Sequence, residues 1–141
     1  MSFNKTHFIG YILLAWAGVI TAPAADYQVV ASKDVAIDEI SAADLKKIFL
    51  LSKTSVGSGH VAPVVQQGGP AHQAFLKECL SETEQDLNDH YKDLTFTGKA
   101  VAPKSVANDA AMIAYLSMSK GAIGYVSASA IPMGVKKITI K

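Results

Sequence analysis

The clearest chemistry in the sequence lies in Gln67-Gly68-Gly69-Pro70-Ala71-His72. An apolar, β-rich run, Val61-Ala62-Pro63-Val64-Val65, leads into it. Ala71 to Leu80 follows, with Phe75, Leu76, Cys79 and Leu80 at helical spacing. Glycines before a proline at the first helical position read as a strand-to-helix turn. Such a turn aims unpaired backbone N–H groups and the positive end of a helix dipole at one point, which suits an anion. The expected ligand-binding residues are therefore Gly68, Gly69, Ala71 and His72, while Pro70 withholds one donor. His72 is expected to be a solvated first-turn residue that adds positive charge only when protonated. The same turn also reads as a plain connection between strand and helix.

Other chemistries find little support. Cys79 is the single cysteine, which excludes an intramolecular disulfide and a multi-Cys zinc site. It falls on the apolar face with Phe75 and Leu76, as a small buried hydrophobe does. His60 and His90 lack metal-ligand spacing, and no Gly-x-Ser-x-Gly elbow occurs. No metal, cofactor or catalytic residue is expected, and the chain is not expected to be an enzyme. Its 141 residues are one domain's worth, half of them apolar and 18% charged, which rules out a disordered chain. All 13 basic residues are Lys, against 12 acids. A near-neutral chain without Arg is not a nucleic-acid binder, which needs a basic face to displace counterions.

The N-terminus reads as an address. Lys5 and His7 precede the apolar run Phe8–Ile20, and Ala22-Pro23-Ala24 supplies a small-residue cleavage site. Residues 1–24 are expected to be a secretory signal peptide and 25–141 a single mature domain. The apolar run is shorter than the roughly 20 residues of a membrane-spanning helix, so no stable membrane insertion is expected after cleavage. An uncleaved N-terminal anchor is the alternative. The expected location is the periplasm.

Strands and helices alternate along the rest of the chain. Tyr27–Ala31 is a short first strand. Ser41 with Asp44 three residues on opens a helix carrying Leu45, Ile48 and Phe49 inward. Residues 52–59 form a loop. The strand Val61–Val65 is expected to start or lie edge-exposed at Pro63, which cannot donate to a ladder. After the Gly-Gly-Pro helix, Ser81-Glu82-Thr83-Glu84 is a second capping signal, for a helix to about Leu94. Thr95 to Lys104 reads as loop. Asn108-Asp109 caps a helix to Ser119, and Gly121 suits a left-handed helix end. Ala122–Val126 and Gly134–Ile140 are the last strands. Tyr125 is a core aromatic or reaches a ligand, and Gly124 permits a close approach to its strand. The pattern β-α-β-α-α-α-β-β predicts an α/β fold, a mixed sheet flanked by helices.

Leu45-Lys46-Lys47-Ile48-Phe49-Leu50, then Val64-Val65-Gln66-Gln67-Gly68-Gly69-Pro70 into Ala74-Phe75, then Gly121-Ala122-Ile123-Gly124-Tyr125-Val126, resemble the periplasmic phosphate-binding-protein family. The likeness is to short, single-lobe members of the phosphate ABC transporter substrate-binding proteins, from about Tyr27 to Ile131. It implies one lobe of a type II periplasmic-binding-protein-like fold, with the phosphate-contacting turn at Gly68–His72. In the phosphate binders this turn carries Ser and Thr hydroxyls with an Arg nearby, where this chain has Gly69, Pro70 and Ala71. In the short members an Arg often stands at the position of His72. Ser32 at the end of the first strand, and Thr54 or Ser55 in the loop, are the expected sources of replacement hydroxyls.

Two functions follow from this. The first is a secreted solute-binding-like protein recognising a small oxyanion, phosphate by resemblance, weakly or with a partner completing the site. The alternative is a non-catalytic interaction or sensor module of the cell envelope that has lost ligand binding. The expected partners are a small oxyanion such as phosphate, and an envelope protein or a second copy of the chain.

Overall fold

The structure is a computed structural model that describes residues 26–141. The signal sequence read at 1–24 lies outside the described residues. Eight strands and four helices follow in the order β1 (Tyr27–Ala31), β2 (Glu39–Ile40), α1 (Ala42–Phe49), β3 (Ser55–Val56), β4 (Gly59–His60), β5 (Ala62–Gln66), α2 (Pro70–Phe75, continuing as a π-helix over Leu76–Leu80), α3 (Glu84–Phe96), β6 (Lys104–Val106), α4 (Asp109–Met118), β7 (Ala122–Ser127) and β8 (Lys136–Ile140). The main sheet has the order β2-β8-β1-β7-β5-β6, and β3 and β4 form a separate hairpin. β1 pairs antiparallel with β7 and β8, while β5 runs parallel to both β7 and β6. This is the mixed α/β sheet that the sequence pattern predicts.

Period-two alternation divides the strands between two cores. Val29, Ala31, Ile123, Tyr125 and Ile138 face α1, α2 and α3, with Leu45, Phe49, Phe75 and Leu87 against them. Val30, Val64, Ala122 and Val126 face α4, where Met112 and Leu116 cover them. Gly124 sits on the α4 face, where a Cβ would overlap the sulfur of Met112. Its missing side chain is what lets α4 lie close to the sheet.

Local capping chemistry sets the helix starts. The Ser41 hydroxyl accepts the Asp44 N–H at 3.1 Å, and the Asn108 side chain accepts that of Ala111 at 2.9 Å. The cap of α3 is Thr83, whose hydroxyl accepts the Asp86 N–H at 3.1 Å. Ser81, the expected cap, instead takes a left-handed conformation, φ 53°, ending the π-helical turn. α3 also runs on to Phe96, past the expected stop at Leu94.

Three short features went unrecognised in the sequence: β2, the β3–β4 hairpin and β6. Each has only two or three residues, too few to carry a period. Pro63 stands at the start of β5 on its unpaired side, as expected, although further along β5 lies inside the sheet between β7 and β6. The Ala62 N–H donates to Gly121 O on the β7 side, so position 63 faces the β6 side. There the ladder begins only at Val64, opposite Lys104. Proline is tolerated because no neighbouring strand asks for its missing N–H.

Candidate functional site

The Gly68–His72 turn leaves the C-terminal end of β5 and enters α2. Gly69 is the N-cap at φ 96°, with no side-chain cap, and its carbonyl accepts the Gln73 N–H at 3.1 Å. The N–H groups of Ala71 and His72, in the first helical turn, have no acceptor within the helix. A Cβ on Gly68 or Gly69 would meet nothing within 4 Å. The corner is therefore open, and a hollow of about 330 Å³ lies against it.

A second helix start faces this hollow. Asn108 and Asp109, at the entrance of α4, line it together with Gly68, Gly69, Ala71 and Ser127. Two helix N-termini thus meet beyond the ends of the parallel strands β5 and β7. Asp109 Oδ1 accepts from Gln66 Nε2 at 2.8 Å and from the Ser127 N–H at 3.2 Å. That carboxylate ties α4 to the ends of both strands, and it is an acceptor-only group beside the hollow.

The hydroxyl candidates are not brought here. Ser32 is buried at the opposite end of the sheet, where its N–H donates to Ala122 O at 2.8 Å and its Oγ accepts the Ala122 N–H at 3.2 Å. Thr54 O accepts the Val61 N–H, and Ser55 pairs with His60, so both sit by the start of β5 rather than its end. The antiparallel run of β1 against β7 is the cause: Ala31 lies opposite Ile123, while the turn follows the end of β5.

His72 differs most from its expectation. It is 1% exposed rather than solvated, and its imidazole is held on both sides. Nδ1 meets the Tyr125 hydroxyl and Nε2 meets Glu84 Oε2, both through short contacts. The Tyr125 oxygen also accepts the Gln66 N–H at 3.0 Å. These contacts form one directed chain. With its oxygen taken by Gln66, Tyr125 donates its proton to Nδ1, and Nε2–H donates to Glu84. Burial pushes the Tyr125 phenol well above its ordinary range, which keeps it a donor. The sequence offered no signal for this set, since Gln66, His72, Glu84 and Tyr125 share no short spacing.

His72 and Glu84 also open onto a larger groove, about 850 Å³, between α3 and the segment leading into β6. Of the other singled-out residues, His90 Nε2 lies 2.7 Å from Leu50 O. The Cys79 thiol is half-buried, and burial pushes it up to about 11. Among the described residues no three of His, Cys, Asp and Glu are grouped to hold a metal, and no helix is long and apolar enough to cross a membrane.

The architecture has solved counterparts. The chain is similar, at TM-score 0.64 and 14% identity, to a chain from Clostridium perfringens described as a phosphate ABC transporter substrate-binding protein with bound phosphate; 82% of this chain and 44% of that one are covered. It is similar at TM-score 0.62 and 16% identity to an ABC-type phosphate transport receptor from Vibrio cholerae, covering 82% and 46%. PstS from Borrelia burgdorferi matches at TM-score 0.60 and 11% identity, covering 82% and 47%. The fold is that of the phosphate-transporter substrate-binding proteins, in a single-lobe form. The described chain spans less than half the length of these counterparts. No protein-family profile matches the sequence. No curated protein matches it either.

Proposed function

We propose that this chain is a solute-binding-like protein of the periplasm that recognises a small oxyanion, phosphate in the first instance, at the Gly68–Gly69–Ala71 turn. The observation that carries this reading is the open hollow where the starts of α2 and α4 meet beyond β5 and β7. Backbone N–H groups and two helix dipoles favour negative charge there. The phosphate-bound counterpart of the same fold supports phosphate as the first candidate. Asp109 refines the choice, because an anion reaching that carboxylate must bring its own proton. Monohydrogen phosphate does so at neutral pH and sulfate does not.

Affinity is expected to be low. The turn has neither hydroxyls nor Arg, and hydrogen bonds to charged groups contribute about 1.5–3 kcal/mol each. With a Kd of about 1 mM, 10 mM phosphate stabilises the fold by about 1.4 kcal/mol, enough to raise Tm by a few degrees. Thermal unfolding with phosphate and with sulfate at equal ionic strength is the test. A rise with phosphate alone supports the reading; no rise with either anion ends it. Gly68→Asp places a carboxylate in open space and should abolish the phosphate effect while leaving the ligand-free Tm nearly unchanged.

A second reading, an envelope interaction module, is supported by the absence of Ser, Thr and Arg from the Gly68–His72 turn. In that reading a partner protein or a second copy docks over the hollow. Light scattering with and without phosphate separates the cases, since a completed site makes association depend on the anion.

A further inference from the structure

We propose that the end of α4 and the crossover from β7 to β8 form a surface that adsorbs to an anionic lipid bilayer. Met118, Ile131 and Met133 enter the headgroup layer, and Lys120 and Lys137 meet lipid phosphates. Met118 is 83% exposed, Ile131 79% and Met133 75%. They share one corner, because the crossover runs back beside α4. A Cβ on Gly134 would lie 3.5 Å from the Ser117 Cβ, and the Met133 N–H donates to Ile131 O at 2.9 Å. Single exposed apolar residues are ordinary, whereas three gathered at one corner mark a contact surface. None of them lines the hollow or the groove described above. Side chains this exposed stand out from the surface, a shape that enters lipid rather than one that receives a ligand.

Charge chooses the partner. Asp109 is the last acid in the chain, and residues 110–141 carry Lys120, Lys136, Lys137 and Lys141 without one. Lys136 is paired with Asp38 and Lys141 with Glu39, whereas Lys120 and Lys137 are in no ion pair among the described residues. Lys137 stands opposite Val30, which faces α4, so it lies on the same side of the sheet as that helix. Lys104, opposite Val64, is on this side too, its ammonium 5.8 Å from the centre of the Tyr115 ring. Asp34, which accepts the Gly121 N–H, is offset by Lys33 beside it in the chain. The acids gather across the sheet, where Glu84, Asp86, Asp89 and Asp93 lie on α3. A molecule charged in this way turns its α4 face to a negative surface. Unpaired lysines around protruding apolar side chains are the pattern of a peripheral membrane contact.

The corner lies at the opposite end of α4 from the oxyanion hollow and does not rest on that reading. The test is NMR of the full chain, labelled at its methionine methyls, with lipid nanodiscs that carry a nitroxide-labelled lipid. On phosphatidylglycerol discs the Met118 and Met133 methyls should broaden, and the buried Met112 methyl far less. Phosphatidylcholine discs should bind at least about tenfold more weakly, and about 0.5 M salt should remove most of the binding. Lys120→Glu with Lys137→Glu should weaken it at least about tenfold. Ile131→Ser should weaken it several-fold while keeping both methyl probes. All three positions are exposed, so Tm should stay unchanged. Because the signal is local, attachment through the apolar run Phe8–Ile20 would leave Met118 and Met133 sharp. Sharp methyls on bound discs, equal broadening on neutral lipid, or indifference to the charge reversals would overturn the proposal. So would Met118 and Met133 shifts that follow protein concentration instead of lipid, which would put a second copy on the corner.

Discussion

Tyr125 shows how much one atom can organise. Its hydroxyl accepts from Gln66 and donates to His72, while its ring stacks on Phe75 at 4.0 Å between centroids. Tyr125→Phe keeps the ring and strands a buried N–H and a buried imidazole nitrogen. A loss of about 1–3 kcal/mol is expected, read as a lower urea midpoint at unchanged m-value. Cys79 makes the complementary case. Its thiol is pushed from 9.0 up to about 11 by burial, with Lys46 opposing. Only the thiolate reacts, so alkylation at pH 8 should be about a hundredfold slower than for a free thiol. Fast iodoacetamide labelling would contradict this and revive a nucleophilic role.

The helices test the capping chemistry. Thr83 holds the start of α3, whereas Ser81 ends the preceding turn in a left-handed conformation. Thr83→Ala should cost about 1 kcal/mol. Ser81→Gly should be neutral or stabilising by up to about 1 kcal/mol, because glycine adopts positive φ without the Cβ penalty. If Ser81 were the cap, the order would reverse, and denaturant unfolding of the two variants distinguishes the cases. Gly121 gives a stricter demand: at φ 62° a Cβ there would stand 2.9 Å from the His60 carbonyl oxygen. The entrance to β7 and the β3–β4 hairpin are fitted to each other through that glycine.

For the molecule as a whole, the aromatic cluster joins sheet to helices. Phe75 touches Tyr27, Phe49 and Tyr125, and it is fully buried. Phe75→Ala should cost about 3–5 kcal/mol, a large share of a domain's total stability of about 5–15 kcal/mol. The phenols of the cluster predict the alkaline limit. Burial raises Tyr27 to about 12 and pushes Tyr91 and Tyr125 higher still. A group with a raised folded pKa stabilises fully below its unfolded value, about 10, and that stability is lost as pH climbs beyond it. Above pH 10 the fold should lose its circular dichroism together with the rise of phenolate absorbance. Conversion of all five tyrosines to phenolate while the circular dichroism is still native would contradict the burial.

Local residue patterns are enough to specify the elements that carry their own punctuation. Ser41, Asn108 and Gly121 mark boundaries through bonds or backbone angles that span only a few residues, and the Gly-Gly-Pro turn announces a helix start wherever it is placed. The fold class followed from the alternation of those elements. Tertiary structure alone decided what meets what. Strand direction sent Ser32 to the far end of the sheet, and brought the α4 entrance with Asp109 to the turn instead. Packing drew His72 under cover between Tyr125 and Glu84, residues 53 and 12 positions away. Such contacts leave no local period or spacing to read, because they are fixed by the register between strands and the burial it imposes.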